Sequence, residues 1–318
     1  MRGSEEMKHE PIRSGPSLLE RAAEIYDFSS GALIAPAPEP VAAPVPAPAP
    51  APEPAAEAPE PIAKAPPPAR RIAVPGRSAE VDRARLREAG FVVPEAGATA
   101  LAEELRLVKR QLLLAAAARK GVSEEKSRII LVSSAQPDEG KTFCAVNLAL
   151  SLASERDIEV LLVDGDVSQP AIPGLLGLEP GAGLIDALAD PAVDAESLIV
   201  RTDIEGLSIL PAGNNANNVP ELLASARTSE VLGALAAADP RRIILIDSPP
   251  VLMASPAGIL AGHVGQALVV VRADRTTESD LKETVGLLSA CDRIGLVLNG
   301  AGFAASGRRY GQYDGREA

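Results

Sequence analysis

Along the middle and end of the chain, short apolar runs rich in β-branched residues alternate with longer segments of mixed pattern. The runs lie at 128–134 (RIILVSS), 159–164 (EVLLVD), 207–211 (LSILP), 242–247 (RIILID), 267–272 (ALVVVR) and 294–299 (IGLVLN). Between them, 142–154, 220–238 and 278–290 are long enough for helices. Runs that are apolar throughout, rather than at every second position, are covered on both faces, and strands alternating with helices build a parallel sheet. The pattern predicts an α/β fold, a doubly wound and mostly parallel sheet spanning about 99–305. Ahead of the first run, Leu101, Leu105, Val108, Leu112 and Ala115 recur every three or four positions among Glu103, Glu104, Arg106, Lys109 and Arg110. That spacing predicts a long amphipathic helix over 99–119.

The N-terminal 98 residues read differently. Between Pro36 and Pro68 there are 14 prolines in 33 residues, mostly alternating with alanine, a composition that favours extended polyproline II and packs no core. Before this spacer, Leu18, Leu19, Ala22, Ala23 and Tyr26 sit at helical spacing behind Ser17. They predict one short helix at about 17–26, either a docking element or a marginal helix with no partner. Residues 306–318, bearing Gly, Arg and Tyr, read as a flexible tail.

Charge narrows the function. Lys plus Arg total 31 against 43 Asp plus Glu, a net charge of −12, which argues against nucleic acid or an anionic lipid surface as partner. Two cysteines, Cys144 and Cys291, with His9 and His263, are too few for a disulfide scaffold or a structural zinc site, so a reduced, cytoplasmic protein is expected. No apolar run approaches the ~18 residues of a membrane span, and the first residues lack a signal-peptide core, so no direct membrane insertion is expected.

The strongest chemical signal follows the first strand. AQPDEGKT at 135–142 matches the phosphate-loop pattern G-x-x-x-x-G-K-[ST] with alanine in place of the first glycine. A strand entering and a helix leaving such a loop turn backbone N–H groups toward phosphate, with Lys141 on the β and γ oxygens of ATP and the Thr142 hydroxyl on Mg²⁺. Pro137, Asp138, Glu139, Gly140, Lys141, Thr142 and Phe143 are therefore candidate nucleotide-binding residues. In VLLVDGD, Asp164 and Asp166 leave the strand end on the side of this loop, and RIILID ends on Asp247, where a carboxylate can hold Mg²⁺. Three carboxylates at strand ends beside a P-loop point to a metal-nucleotide site.

The P-loop, the DxD and the RIILID aspartate, in this order, resemble the bacterial P-loop tyrosine kinases of exopolysaccharide and capsule assembly. The resemblance runs from about residue 102 to 299 and extends to NLALSLA, GLLGLEPGAGLIDAL, LPAGNNANNVPELLAS and IDSPPVL. SLLERAAEI and EELRLVKRQLL look like the terminal signatures of the soluble subgroup encoded with exosortase-linked (PEP-CTERM) loci. The resemblance implies ATP-dependent tyrosine autophosphorylation, with Asp164, Lys141, Asp166 and Asp247 as catalytic residues, Asp164 among them the base that takes the tyrosine proton, Thr142, Asp166 and Asp247 as the Mg²⁺ ligands, and Asn299 as a contact to adenine. Without the family, Asn299 reads as a strand-end turn residue. The resemblance also implies ring formation through Glu103, Arg106 and Lys109, which otherwise read as a solvated helix face. A membrane chain-length-determinant (co-polymerase) protein is the implied activator, recruiting the chain to the inner face of the membrane. Only Tyr26, Tyr310 and Tyr313 are tyrosines, and the last two, in RRYGQYDGRE, are the expected autophosphorylation sites.

Three positions depart from the family pattern: Gln169 before Pro170 where relatives carry a basic residue, Asp138 where many have glycine, and no acidic residue in 254–257. Two other readings stand beside the kinase. One is an ATPase resembling the partition and septum-positioning proteins, disfavoured because Gln136 occupies the place of their signature lysine. The other is an ATP-binding scaffold of the polysaccharide machinery.

Overall fold

The computed structural model describes residues 77–93, 99–118, 121–214 and 217–301. The expected helix at 17–26, the proline-rich spacer and the tail with Tyr310 and Tyr313 lie outside the described residues. In chain order the elements are β1 (Ser78–Ala79), α1 (Arg83–Glu88), α2 (Ala100–Ala117), α3 (Glu124–Ser127), β2 (Ile129–Ser134), α4 (Lys141–Ala153) and β3 (Glu159–Asp164). There follow α5 (Ile172–Leu176), α6 (Leu184–Ala189), a 3-10 turn (Ala195–Leu198), β4 (Val200–Thr202), β5 (Leu207–Leu210), α7 (Val219–Ala224) and α8 (Ala226–Ala238). The chain closes with β6 (Arg242–Asp247), α9 (Pro256–Ala261), β7 (Gln266–Arg272), α10 (Glu278–Leu287) and β8 (Ile294–Asn299).

Among the described residues eight strands form one sheet, in the order β1-β4-β5-β3-β6-β2-β7-β8. Every pair is parallel except β4 with β5. Alternate residues of the central strands feed two cores, because successive side chains of a strand point to opposite faces. Ile130, Val132, Leu162 and Leu245 pack with Leu105 and Leu112 of α2 and Leu148 and Leu152 of α4. Ile129, Leu131, Leu161, Val163 and Ile246 pack on the other face with Leu184, Leu232 and Leu260 from α6, α8 and α9. The doubly wound α/β reading is met, with helices on both faces of a mostly parallel sheet.

Three details differ from the pattern-based expectation. The folded body reaches upstream of residue 99: Val81, Leu86, Phe91 and Val93 join the core beside α4, and the backbone N–H of Val92 donates to the buried Asn147 side chain at 2.8 Å. The expected helix 220–238 is two helices. Ser225 between them is extended (φ −72°, ψ 156°), and its hydroxyl and that of Thr228 both donate to the Leu222 carbonyl, competing with the helical ladder. At the sheet edge β8 is covered on one face only, leaving Leu296 and Leu298 54% and 59% exposed.

Candidate active site

The loop between β2 and α4 is shaped by two left-handed residues, Asp138 (φ 60°) and Gly140 (φ 95°). At Gly140 the left-handed φ disfavours any other residue, and a Cβ there would lie 2.2 Å from Asn299 Nδ2 and displace that amide. Asp138 is exposed, and the glycine expected there in relatives suits its positive φ, a conformation that Asp tolerates better than most residues. Gly140 caps α4 without a side chain, which leaves the first-turn N–H groups and the helix dipole for an anion. Of the candidate nucleotide contacts, Pro137 and Asp138 are exposed on the loop. Phe143 packs its ring on Phe91 with centroids 4.9 Å apart, so only its backbone is available to a nucleotide. The Glu139 carboxylate is buried and accepts from Gln136 N–H, and Asn299 donates its amide to the Glu139 carbonyl at 2.9 Å.

Parallel register brings the carboxylates to this loop. Asp164 at the end of β3 is paired in register with Asp247 at the end of β6, and Val132 of β2 with Asp247. Between the two aspartates of the DxD, Gly165 donates its N–H to the Asp247 carbonyl at 2.7 Å, and a Cβ there would sit 2.7 Å from that oxygen. The spacing residue is glycine because β6 passes too close for anything larger.

Lys141 ties the group together. Its Nζ lies 2.9 Å from Asp166 Oδ2, 3.9 Å from Asp247 Oδ2 and 3.3 Å from Thr142 Oγ1. The Thr142 hydroxyl donates to Asp247 Oδ2 at 2.6 Å. Asp166 also accepts from Gln169 N–H at 3.2 Å, while the Gln169 side chain lies at an exposed position. Asp164 is fully buried; its two oxygens accept from the N–H groups of Asp166 and Ile172 at 3.3 and 3.1 Å. Burial pushes its pKa up to about 6, with the two N–H bonds opposing the rise. Each carboxylate oxygen keeps a further lone pair, so Asp164 can still take a proton. Asp247 is pushed to about 7, chiefly by desolvation and further by Asp164 and Asp166, with Lys141 and Thr142 opposing.

One atom in this cluster has no partner: Asp247 Oδ1 is buried without a hydrogen bond. An orphaned carboxylate oxygen beside a threonine hydroxyl and a second carboxylate fits a hard divalent cation. Among the described residues no group of three or more His, Cys, Asp or Glu side chains is gathered to hold a metal unaided.

Of the expected interface residues, Glu103 and Arg106 pair with each other on the exposed face of α2. Lys109 does not share that face. It is 7% exposed, donates to the Ser151 carbonyl at 2.9 Å and pairs with Glu155 at 2.6 Å, holding α2 to the end of α4. Its ammonium is occupied within the subunit instead of on the face that carries Glu103 and Arg106. Sequence reading missed Thr276, whose hydroxyl donates to the Glu139 carboxylate. No local signal marks it, as the two lie on separate loops.

A phosphate loop between strand and helix, flanked by strand-end carboxylates on a parallel sheet, defines a P-loop nucleotide-binding protein. The chain is similar to the kinase domain of VpsO, with 33% identity, covering 60% of this chain and 97% of that domain at a TM-score of 0.50. It is likewise similar to the BceF tyrosine kinase domain, with 28% identity over 61% of this chain and 76% of that one at a TM-score of 0.52. Tyrosine-protein kinase Wzc of Salmonella typhimurium is 32% identical over 197 residues, 60% of this chain and 26% of that protein. No family model matches the chain. These likenesses place it: the chain belongs to the bacterial P-loop tyrosine kinases. It spans about a quarter of the length of several curated relatives that it matches.

Proposed function

We propose that the chain is an ATP-dependent protein tyrosine autokinase acting in exopolysaccharide polymerisation or export. The observation that carries this reading is the convergence of Asp164, Asp166 and Asp247 on Lys141 and Thr142 beside a P-loop. Relatives named tyrosine-protein kinases support it. Phosphoryl transfer depends mainly on positioning and on neutralising charge, which is what this cluster offers.

In this mechanism the N–H groups at the start of α4 and the Lys141 ammonium hold the ATP phosphates. Thr142, Asp166 and Asp247 would hold Mg²⁺, which when bound neutralises the β and γ oxygens. Asp164, with a pKa near 6, is mostly ionised at neutral pH and accepts the proton of the incoming tyrosine hydroxyl as its oxygen bonds to the γ-phosphorus. ADP leaves with the bridging oxygen.

Tyr310 and Tyr313 are the proposed acceptors, with Glu103 and Arg106 at a contact between subunits of a ring that presents one tail to the next site. The proposed domain plan is an N-terminal docking element and linker, a kinase domain through about residue 305, and a tyrosine-bearing tail. A membrane co-polymerase would recruit and activate the chain at the cytoplasmic face, as in the soluble exosortase-linked subgroup. Among the described residues no helix is long and apolar enough to cross a membrane. The test is transfer of label from γ-labelled ATP to the purified chain, with and without the cytoplasmic segment of its co-polymerase. Label should disappear in Lys141→Ala and Asp164→Asn while Asp164→Asn still binds nucleotide. Undiminished label in Asp164→Asn would remove Asp164 as the base.

A further inference from the structure

The crown of the P-loop is held by a carboxylate turned into the protein. Glu139 is 0% exposed, although it precedes the glycine and lysine that face phosphate. A buried carboxylate is costly unless its oxygens are hydrogen-bonded, and both are. Oε2 accepts from Gln136 N–H at 2.8 Å, closing the loop on itself, and Oε1 accepts from the Thr276 hydroxyl. Thr276 is fixed in turn, because its Oγ1 accepts from the N–H of Arg272, the last residue of β7, at 2.8 Å. That bond occupies a lone pair of Thr276 and leaves its single hydroxyl proton for Glu139.

The same residue is held from a second side. Asn299, at the end of β8, donates to the Glu139 carbonyl and fills the space above Gly140. The phosphate cradle is thus gripped between the carboxylates of β3 and β6 on one side and Thr276 and Asn299 on the other. One of the two N–H donors of the Asn299 amide is engaged by the loop.

We infer that Glu139 and Thr276 form a latch that holds the P-loop in its phosphate-binding shape, so that the loop leaving β7 sets nucleotide affinity. Glu139 is a positioning residue: it acts through the orientation of the Gly140 and Lys141 N–H groups, with its carboxylate kept away from the phosphates. A change in the loop spanning 272–277, on the approach to α10, is transmitted to the nucleotide through one hydroxyl. This inference rests on the nucleotide-binding reading of the P-loop.

The test is titration of the full chain with the fluorescent nucleotide mant-ADP in the presence of Mg²⁺. Losing a hydrogen bond to a charged group weakens what it supports about tenfold. Thr276→Val and Glu139→Ala should each raise Kd about tenfold, and the double variant should be no weaker than the weaker single one, because both remove the same latch. Thr276→Ser, which keeps the hydroxyl, should bind within about twofold of the parent. A parent-like Kd for Thr276→Val, or additive losses in the double variant, would overturn the latch. Lys141→Ala serves as the control for the cradle itself. If the parent fails to bind mant-ADP, the nucleotide reading is what fails. Amide hydrogen exchange of 136–140 then decides the latch: faster exchange in Thr276→Val than in Thr276→Ser supports it, and equal rates overturn it.

Discussion

Asp247→Asn should make the nucleotide-free protein more stable at alkaline pH while removing its response to Mg²⁺-nucleotide. Asp247 is 1% exposed and its pKa is raised from 3.8 to about 7, with desolvation as the largest cause. The unfolded chain ionises this group near its ordinary value, whereas the folded protein keeps it protonated until about neutrality. Through that window the folded state binds the extra proton, so stability falls as pH rises, by 1.36 kcal/mol per pH unit. Between about pH 5 and pH 8 this one group costs the parent about 3 kcal/mol, and the slope ends above the folded pKa. An asparagine carbonyl can still accept from the Thr142 hydroxyl and carries no such cost. The stability of Asp247→Asn relative to the parent should therefore rise by about 3 kcal/mol across this range. For a domain of this size that is a relative gain in melting temperature of roughly 6–12 °C. Urea unfolding in EDTA at several pH values reads it directly. Adding Mg²⁺ and ADP should reverse the order, because binding to the folded state stabilises only the parent. A stability difference that does not change with pH would refute the reasoning, since Asp247 would then not be a buried carboxylate titrating near neutrality.

Gly165→Ala should destabilise by about 1–3 kcal/mol and lower nucleotide affinity, because its Cβ would meet the Asp247 carbonyl at 2.7 Å; thermal unfolding and mant-ADP titration check both. Leu86→Ala should cost about 2–5 kcal/mol in urea unfolding, as befits a fully buried side chain that binds α1 to the core; a negligible loss would return 77–93 to the linker. Lys109→Met should leave the oligomeric state unchanged in light scattering, whereas Arg106→Glu, on the exposed face, should dissolve a ring if one forms.

The central strands were legible because parallel strands buried on both faces read as continuous apolar runs. That is why β2, β3 and β6 fall within a residue of the predicted runs. β1 and β4 are two and three residues long and sit at the far edge, too short to carry a period. α1 reads RARLRE with only Leu86 buried, so composition hides a helix whose anchor is a single side chain. β8 reads as a buried strand, yet nothing in IGLVLN reveals that it forms the sheet edge. In the site, the P-loop and the three aspartates were visible because their geometry follows from strand ends and backbone turns. Lys109 could not be assigned a direction, because its place at three-residue spacing from Arg106 suits the surface, while its long stem lets Nζ reach the Ser151 carbonyl. Thr276 was invisible for a similar reason: it lies 137 positions from Glu139, and only the folded sheet brings β7 beside β2.

The most direct measurement is phosphotyrosine mapping by mass spectrometry on the chain expressed in its native host, beside Lys141→Ala and a Tyr310→Phe/Tyr313→Phe double variant. Phosphate on Tyr310 or Tyr313 that disappears with Lys141→Ala is the predicted result. Absence of phosphotyrosine from a parent that binds ATP, or phosphotyrosine that persists in Lys141→Ala, would contradict the assignment of an autokinase to this site.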